Sequence, residues 1–358
     1  MAGRLADVAT TPPGAHQSDL EVFASVVPQP VVDAISNARS ILAVGHENPD
    51  ADTLGATLAI SVIARELGIR ATAASSDTPP PLYVFLPGVG EVRTDPDPAA
   101  HYDLLVVSDC ATFERVGALA TRNQRLFAEL PRVVIDHHLS NDEDGPTYWI
   151  DPAAAATCEM VALLAVRLGI PLDAGDGALA TALTGGIVMD TATFAHPNTT
   201  PRTLSVAAAL VAAGAPLAEI SRRIYRSKPD AQLRLFGRVL ERMSSADDGR
   251  VVWSRLLERD LAETGAEPAQ SEGIIDLLSQ ADRAEVAILF KEQADGTTRL
   301  SVRTRPDGVD ATVLTGLFGG GGHARAAGAT VQHAIAEAEP LVLVEARRLA
   351  AQFGRAET

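Results

Sequence analysis

His46, Asp50 and Asp52 fall within one short stretch, GHENPDADTLG (45–55), between an apolar run and a segment with helical spacing. Three more sets of ionisable residues occupy the same kind of position. Asp109 closes the aliphatic run 103–109, Asp136, His137 and His138 follow the run RVVI, and Asp190 ends the apolar segment LTGGIVMD. Several carboxylates brought together repel one another unless cations sit between them. Oxygen and imidazole donors without a thiolate suit Mn²⁺ or Mg²⁺ better than structural zinc. Two such ions held ~3.5–4 Å apart share a water, lower its pKa and fix phosphoryl oxygens for in-line attack. The chemistry implied is metal-assisted hydrolysis of a phosphate ester. Each motif alone also admits a plainer reading, because an aspartate at a helix start caps backbone N–H groups and a histidine pair can sit in a solvated turn. Recurrence at successive strand ends is what favours metal.

For these residues to meet, the elements before them must be neighbouring parallel strands. From about Val31 onward short β-rich runs alternate with longer periodic ones, the signature of βαβ units around a parallel sheet. ILAVG (41–45), RATAAS (70–75), DLLVVSD (103–109) and RVVID (132–136) read as strands, and TLGATLAISVIARELG as a helix. In open α/β sheets the crevice beyond the carboxyl ends of the strands binds ligands, so the candidates are expected to converge there. After Gly214 the pattern changes. An arginine-rich helical connector leads to a second region, in which RVVWSRLL, EVAILFKE and TRLSVRT read as strands and 272–280, 310–318 and 335–352 as helices.

The chain of 358 residues exceeds a typical single core and suits two domains. No apolar run approaches the ~20 residues of a membrane-spanning helix. The N-terminus lacks the basic-then-apolar pattern of a secretory signal. Cys110 and Cys158 are the only cysteines and form no CxxC motif, which fits a reducing cytoplasm. A net charge of −16 argues against coating long nucleic acid through a broad basic surface, but not against short phosphorylated substrates.

HENPDAD (46–52), Asp109, DHH (136–138) and GIVMDTATF (186–194) resemble, in order, the four motifs of the DHH phosphoesterase family. FGGGGHARAAG (318–328), preceded by SVRTR, resembles the glycine-rich signature of the DHH-associated domain, and the whole is most similar to the nanoRNase and pAp phosphatase type. The resemblance implies a fold class: α/β, with a parallel-sheet DHH domain joined by a helical connector to a smaller α/β DHH-associated domain. The expected boundaries are a disordered tail over 1–25, the metal-binding catalytic domain over 26–195, the connector over 196–235 and the substrate-binding domain over 236–358.

It further implies that His46, Asp50 and Asp109 hold one ion and that Asp52, Asp109, His137 and Asp190 hold the other. Asp136 would orient ligands and His138 would touch the scissile phosphate, so that Asp109, Asp136 and His138 form the catalytic set. Substrate binding falls to Arg303, whose planar fork suits phosphate, and to Gly320, Gly321, Gly322 and His323, where glycines allow close backbone approach. Phe194, His196 and Arg202 stay open between substrate contact and packing. The implied cofactors are two Mn²⁺, with Mg²⁺ or Co²⁺ as alternatives. The implied activity is hydrolysis of short oligoribonucleotides and linear dinucleotides such as pApA, and of pAp to AMP and phosphate. Cyclic di-AMP cleavage, a RecJ-like exonuclease and a non-catalytic nucleotide-binding regulator are the rivals. Partners would be short RNA and nucleotide phosphates, with no long nucleic acid and no membrane; homodimers are frequent in the family.

Overall fold

The computed structural model describes residues 20–97, 99–141, 144–305 and 308–353. The chain divides into two compact units, Met1–Ser227 and Lys228–Thr358. The tail expected over 1–25 lies outside the described residues as far as position 19, and residues 20–24 are helical with Leu20 and Ala24 buried.

In the first unit β1 (Ser40–Val44), β2 (Arg70–Ala74), β3 (Leu104–Ser108), β4 (Arg132–Asp136) and β5 (Tyr148–Ile150) form one sheet in the order β2-β1-β3-β4-β5. All its pairings are parallel. Because β1 and β3 are buried along their whole length, they are built as unbroken aliphatic runs rather than alternating ones. The strand order reverses between β1 and β3, and such a switch point opens a crevice at the carboxyl ends. His46 and Asp109 lie just past those two ends.

The helices of this unit are α1 (Gln29–Asn37), α2 (Ala51–Glu66), α3 (Ala118–Arg122), α4 (Gln124–Glu129), α5 (Thr157–Arg167), α6 (Ala178–Asp190), α7 (Pro201–Ala212) and α8 (Leu217–Tyr225). Helix α2 is buried from Ala51 to Ala64, and α6 nearly as completely, which is why both are apolar or small-residued all round. Their close approach depends on Gly186. A Cβ there would run into Asp52 Oδ1 and Cys158 Sγ and come within 2.8 Å of Asp52 Cα. Helices α7 and α8, within the expected connector, bury Val206, Leu210, Ile220 and Ile224 in the first unit.

The second unit contains α9 (Asp230–Glu241), β6 (Ser244–Ala246), β7 (Val251–Leu256), α10 (Glu258–Thr264), α11 (Ile274–Ser279), β8 (Val286–Glu292), β9 (Thr298–Thr304), α12 (Ala311–Gly316), β10 (Gly321–His323), β11 (Ala326–Val331) and α13 (Ile335–Phe353). Its strands run in the order β10-β11-β9-β8-β7-β6, with β7 and β8 parallel and the rest antiparallel. One face, with Ile288, Val302 and Ala327, packs with Leu314, Val342 and Ala346 of α12 and α13. The other buries Val252, Ala287 and Leu289 with Leu235, Ile275 and Leu278 of α9 and α11. Among the described residues no single helix is long and apolar enough to cross a membrane.

Candidate metal centre and substrate face

The site is assembled from the first turn outward. Asp50 is the N-cap of α2, its Oδ1 accepting from the backbone N–H of Asp52 at 2.9 Å and Thr53 at 3.1 Å. Capping and ligation therefore coexist in one residue, since the second carboxylate oxygen remains. Asp52, fully buried, accepts from the N–H groups of Thr157 at 2.7 Å and Cys158 at 2.9 Å, two of the orphan donors at the start of α5. Asp109 is buried at the centre. Thr53 Oγ1 donates to its Oδ2 at 2.6 Å, and Thr157 Oγ1 to its Oδ1 at 3.3 Å. Its backbone φ is +60°, a left-handed conformation that aspartate tolerates better than most residues and that recurs at functional sites.

The histidines face these carboxylates in a telling way. His46 Nδ1 lies 2.7 Å from the Glu47 carbonyl oxygen, which only an N–H can satisfy, so its lone pair is on Nε2, 3.4 Å from Asp109 Oδ2. His137 Nε2 is 3.2 Å from Asp190 Oδ2 and 3.6 Å from Asp109 Oδ1. A ligating histidine commonly anchors its other ring nitrogen on a carbonyl, as His46 does. His138 differs. Its Nδ1 meets Asp136 Oδ1 at 2.8 Å, while Asp136 Oδ2 accepts from Asn141 Nδ2 at 2.8 Å.

Two donor groups result, His46–Asp50–Asp109 and Asp52–His137–Asp190, and in each one atom per residue lies within 4.8 Å of the others. A third such group joins Asp109, His137 and His138. Among the described residues no lysine or arginine forms an ion pair with Asp50, Asp52, Asp109 or Asp190. The electrostatic consequence is direct. Burial, then the neighbouring Asp52, Asp109 and Asp50, pushes the Asp190 carboxyl up to about 10. Burial, then Asp109 and Asp50, likewise drives Asp52 well above the usual carboxylate range. The hydrogen bond that His138 donates to Asp136, against burial, raises His138 above the ordinary imidazole value. Carboxylates without lysine or arginine partners, set among imidazoles in an oxygen-rich donor set, fit divalent cations of the Mn²⁺ or Mg²⁺ kind.

In the second unit the backbone register puts His323, Ala326, Arg303 and Ala287 in one row across β10, β11, β9 and β8. Arg303 Nε donates to Asp276 Oδ1 at 2.8 Å. Gly321 and Gly322 belong to β10, which is exposed, and Gly322 has φ +143°. A Cβ on Gly320 would come within 2.6 Å of Ala329 Cβ, so that glycine lets β10 lie against β11. The glycine-rich segment is thus half of a hairpin rather than a loop. Arg202 Nε donates to Glu159 Oε1 at 2.5 Å and Nη1 pairs with Asp151 at 2.9 Å, while His196 Nδ1 meets the Asp190 carbonyl at 3.1 Å. Arg202 thereby braces the loop before α5 through Nε and Nη1. Thr53, Thr157 and Asn141 escaped the sequence reading. Their hydroxyl and amide contacts depend on tertiary neighbours, and only the position of Thr157 at a helix start hinted at a role.

A doubly wound sheet with a carboxylate and imidazole cluster at its switch point, followed by a mixed-sheet unit, defines a class of α/β proteins with a candidate cation centre. Within that class, residues 40–187 match the DHH family, N-terminal domain, and residues 248–352 match the DHHA1 domain. The chain is 32% identical over 287 residues to the bifunctional oligoribonuclease and PAP phosphatase NrnA of Thermus thermophilus, covering 80% of this chain and 82% of that one. It is 28% identical over 305 residues to the protein of the same name from Bacillus subtilis, covering 84% and 92%. An exopolyphosphatase-related protein from Bacteroides fragilis has the same fold, with a TM-score of 0.77 at 20% identity over 94% of this chain and 98% of that one. The chain belongs to the DHH family.

Replacing Asp136 by Asn removes the charge that orients His138 while leaving both donor groups intact. Activity is expected to fall about 10–100-fold with metal content unchanged, checked by steady-state kinetics beside elemental analysis.

Proposed function

We propose that this protein is a two-metal phosphoesterase. It hydrolyses short oligoribonucleotides and linear dinucleotides such as pApA to mononucleotides, and pAp to AMP and phosphate. The observation that carries this reading is the meeting of two donor groups at the switch point, one of them including Asp109, in a chain related over most of its length to oligoribonuclease and PAP phosphatases. Mn²⁺ is the proposed metal, with Mg²⁺ or Co²⁺ able to substitute. Bound cations would supply a water of lowered pKa and neutralise charge on phosphoryl oxygens. His46, Asp50 and Asp109 would hold one, and Asp52, Asp109, His137 and Asp190 the other.

The remaining residues position and polarise. His138, held through Nδ1 by Asp136, keeps its other ring nitrogen for a nonbridging oxygen of the scissile phosphate. Asn141 fixes Asp136 from the other side. Arg303 and His323, in one row of the second sheet, take the remainder of the nucleotide. Cys110 and Cys158 are buried and not joined to each other in a disulfide, which suits a reducing compartment, and we place the activity in the cytoplasm.

The test is a panel of pAp, pApA, cyclic di-AMP, short RNA, a long strand and pyrophosphate assayed with Mn²⁺. Mononucleotide release from pApA should exceed that from the long strand by about 10-fold or more, the scale of discrimination given by 1.4 kcal/mol of differential binding. Equal rates would contradict the preference for short substrates, and absence of any metal-dependent hydrolysis would favour a regulator.

A further inference from the structure

Ala153 to Ala156 form an unbroken run of alanines between β5 and α5, and alanine has no polar side chain with which to fix its own loop. Yet the second donor group leans on this segment. His137 Nδ1 lies 3.4 Å from the Ala154 carbonyl oxygen, and Asp52 accepts from the N–H groups of Thr157 and Cys158 just beyond the run. Asn198 Nδ2 donates to the Ala155 carbonyl at 3.1 Å and to the Asp190 carbonyl at 3.3 Å. The backbone of 151–158 is therefore a shared support for Asp52, His137 and Asp190.

What holds that backbone is a charged clamp. Arg202 Nε pairs with Glu159 Oε1 and Nη1 with Asp151 Oδ2, so one guanidinium grips residues on either side of the alanines. Each carboxylate turns its other oxygen to the loop: Asp151 Oδ1 accepts from the Ala153 N–H at 3.0 Å and Glu159 Oε2 from the Ala155 N–H at 3.2 Å. Arg202 is itself fixed in the first turn of α7, whose start Thr200 and Thr203 cap reciprocally. Glu159 is fully buried. A buried ion pair is often no more stabilising than well-packed apolar residues of the same volume, so stability alone does not account for it. The first donor group has supports of its own. His46 rests on the Glu47 carbonyl, Asp50 caps α2 and Asp109 accepts from Thr53, with the 3.3 Å contact of Thr157 Oγ1 on Asp109 as its link to the clamp.

We propose that Arg202, Glu159 and Asn198 are positioning residues for one cation of the pair, the one that Asp52, His137 and Asp190 would hold, and that they leave the affinity for the other nearly unchanged. This rests on the proposed two-metal reading and adds to it an unequal dependence of the two sites on one clamp.

The experiment titrates Mn²⁺ calorimetrically into the full chain as wild type, E159Q and N198A, and follows pApA hydrolysis at limiting and saturating Mn²⁺. Glutamine offers a single acceptor oxygen where Glu159 uses two, and N198A alters an exposed side chain, which keeps the test sound should E159Q fold poorly. Wild type should bind two ions. In each variant one site should weaken, by about 10-fold or more in E159Q and by less in N198A, while the other changes by less than about 2-fold; this is the scale seen when a partner that orients a ligand is removed. Turnover lost at limiting Mn²⁺ should return at saturating Mn²⁺ with KM for pApA unchanged, a pattern that general loosening of the fold would not give. Equal weakening of both sites, weakening of neither, or a KM raised at saturating Mn²⁺ would overturn the clamp. A wild type that binds two ions, with site-selective loss in the variants but no cleavage of pApA, would sustain the clamp and refute the phosphoesterase reading.

Discussion

Asp109→Asn is expected to leave the fold intact and to reduce hydrolysis on the order of 10³-fold or more. Asparagine has nearly the same shape, accepts from one of the Thr53 and Thr157 hydroxyls through its amide oxygen and donates its amide N–H to the other hydroxyl, and tolerates the left-handed φ of +60°. Alanine would add conformational strain at that position and confuse the result. What asparagine removes is the negative charge that faces His46 on one side and His137 on the other. With that charge gone, both proposed cation sites would lose a donor. The check combines kinetics at saturating Mn²⁺ with circular dichroism and thermal melting. Retained fold with lost turnover is the predicted outcome, and retained turnover would remove Asp109 from the chemistry.

Gly186→Ala should affect both stability and activity, although the residue carries no functional group. Its added methyl would collide with Asp52 Oδ1 and Cys158 Sγ, where α6 crosses α2. Backbone and buried polar atoms cannot retreat as a flexible side-chain end would. Overpacking of this kind costs about 1–3 kcal/mol, read as a lower denaturant midpoint. Because the collision displaces a proposed ligand, turnover should fall about 10²-fold, the penalty expected of an ångström-scale misplacement. Gly237→Ala is the control. It lies in α9, where an added methyl would meet nothing within 4 Å, and should be neutral or stabilising by about 0.5–1 kcal/mol. Equal behaviour of the two variants would show that the α2–α6 contact does not position Asp52.

How much of this was readable from the chain depended on how local the cause was. The strands β1, β3 and β4 announce themselves because burial on both faces demands unbroken aliphatic runs, and each run ends in the residue that matters. The candidates His46, Asp50, Asp52, Asp109, Asp136, His137 and His138 could be picked out because strand ends at a switch point gather ionisable side chains, with Asp190 offered from a helix end; which of them would ligate came from the family resemblance. Strand β5, with three residues, was too short to read, and β10 and β11, rich in glycine and alanine, lack the β-branched signal. The hairpin they form is held by close backbone approach at Gly320 and Gly322, a property of the partner strand. Arg202 looked available for phosphate because its partners, Glu159 and Asp151, are distant in sequence, the nearer of them 43 residues away. Thr157, beyond its place at a helix start, gave no sign for the same reason, since Asp52 and Asp109 lie 105 and 48 residues away.

The most direct test is anomalous diffraction at the manganese edge from crystals of the full chain grown with Mn²⁺. Two peaks per chain are predicted, one in contact with His46, Asp50 and Asp109 and the other with Asp52, His137 and Asp190. A single peak, peaks elsewhere, or no manganese at these side chains in crystals of active protein would contradict the two-cation centre.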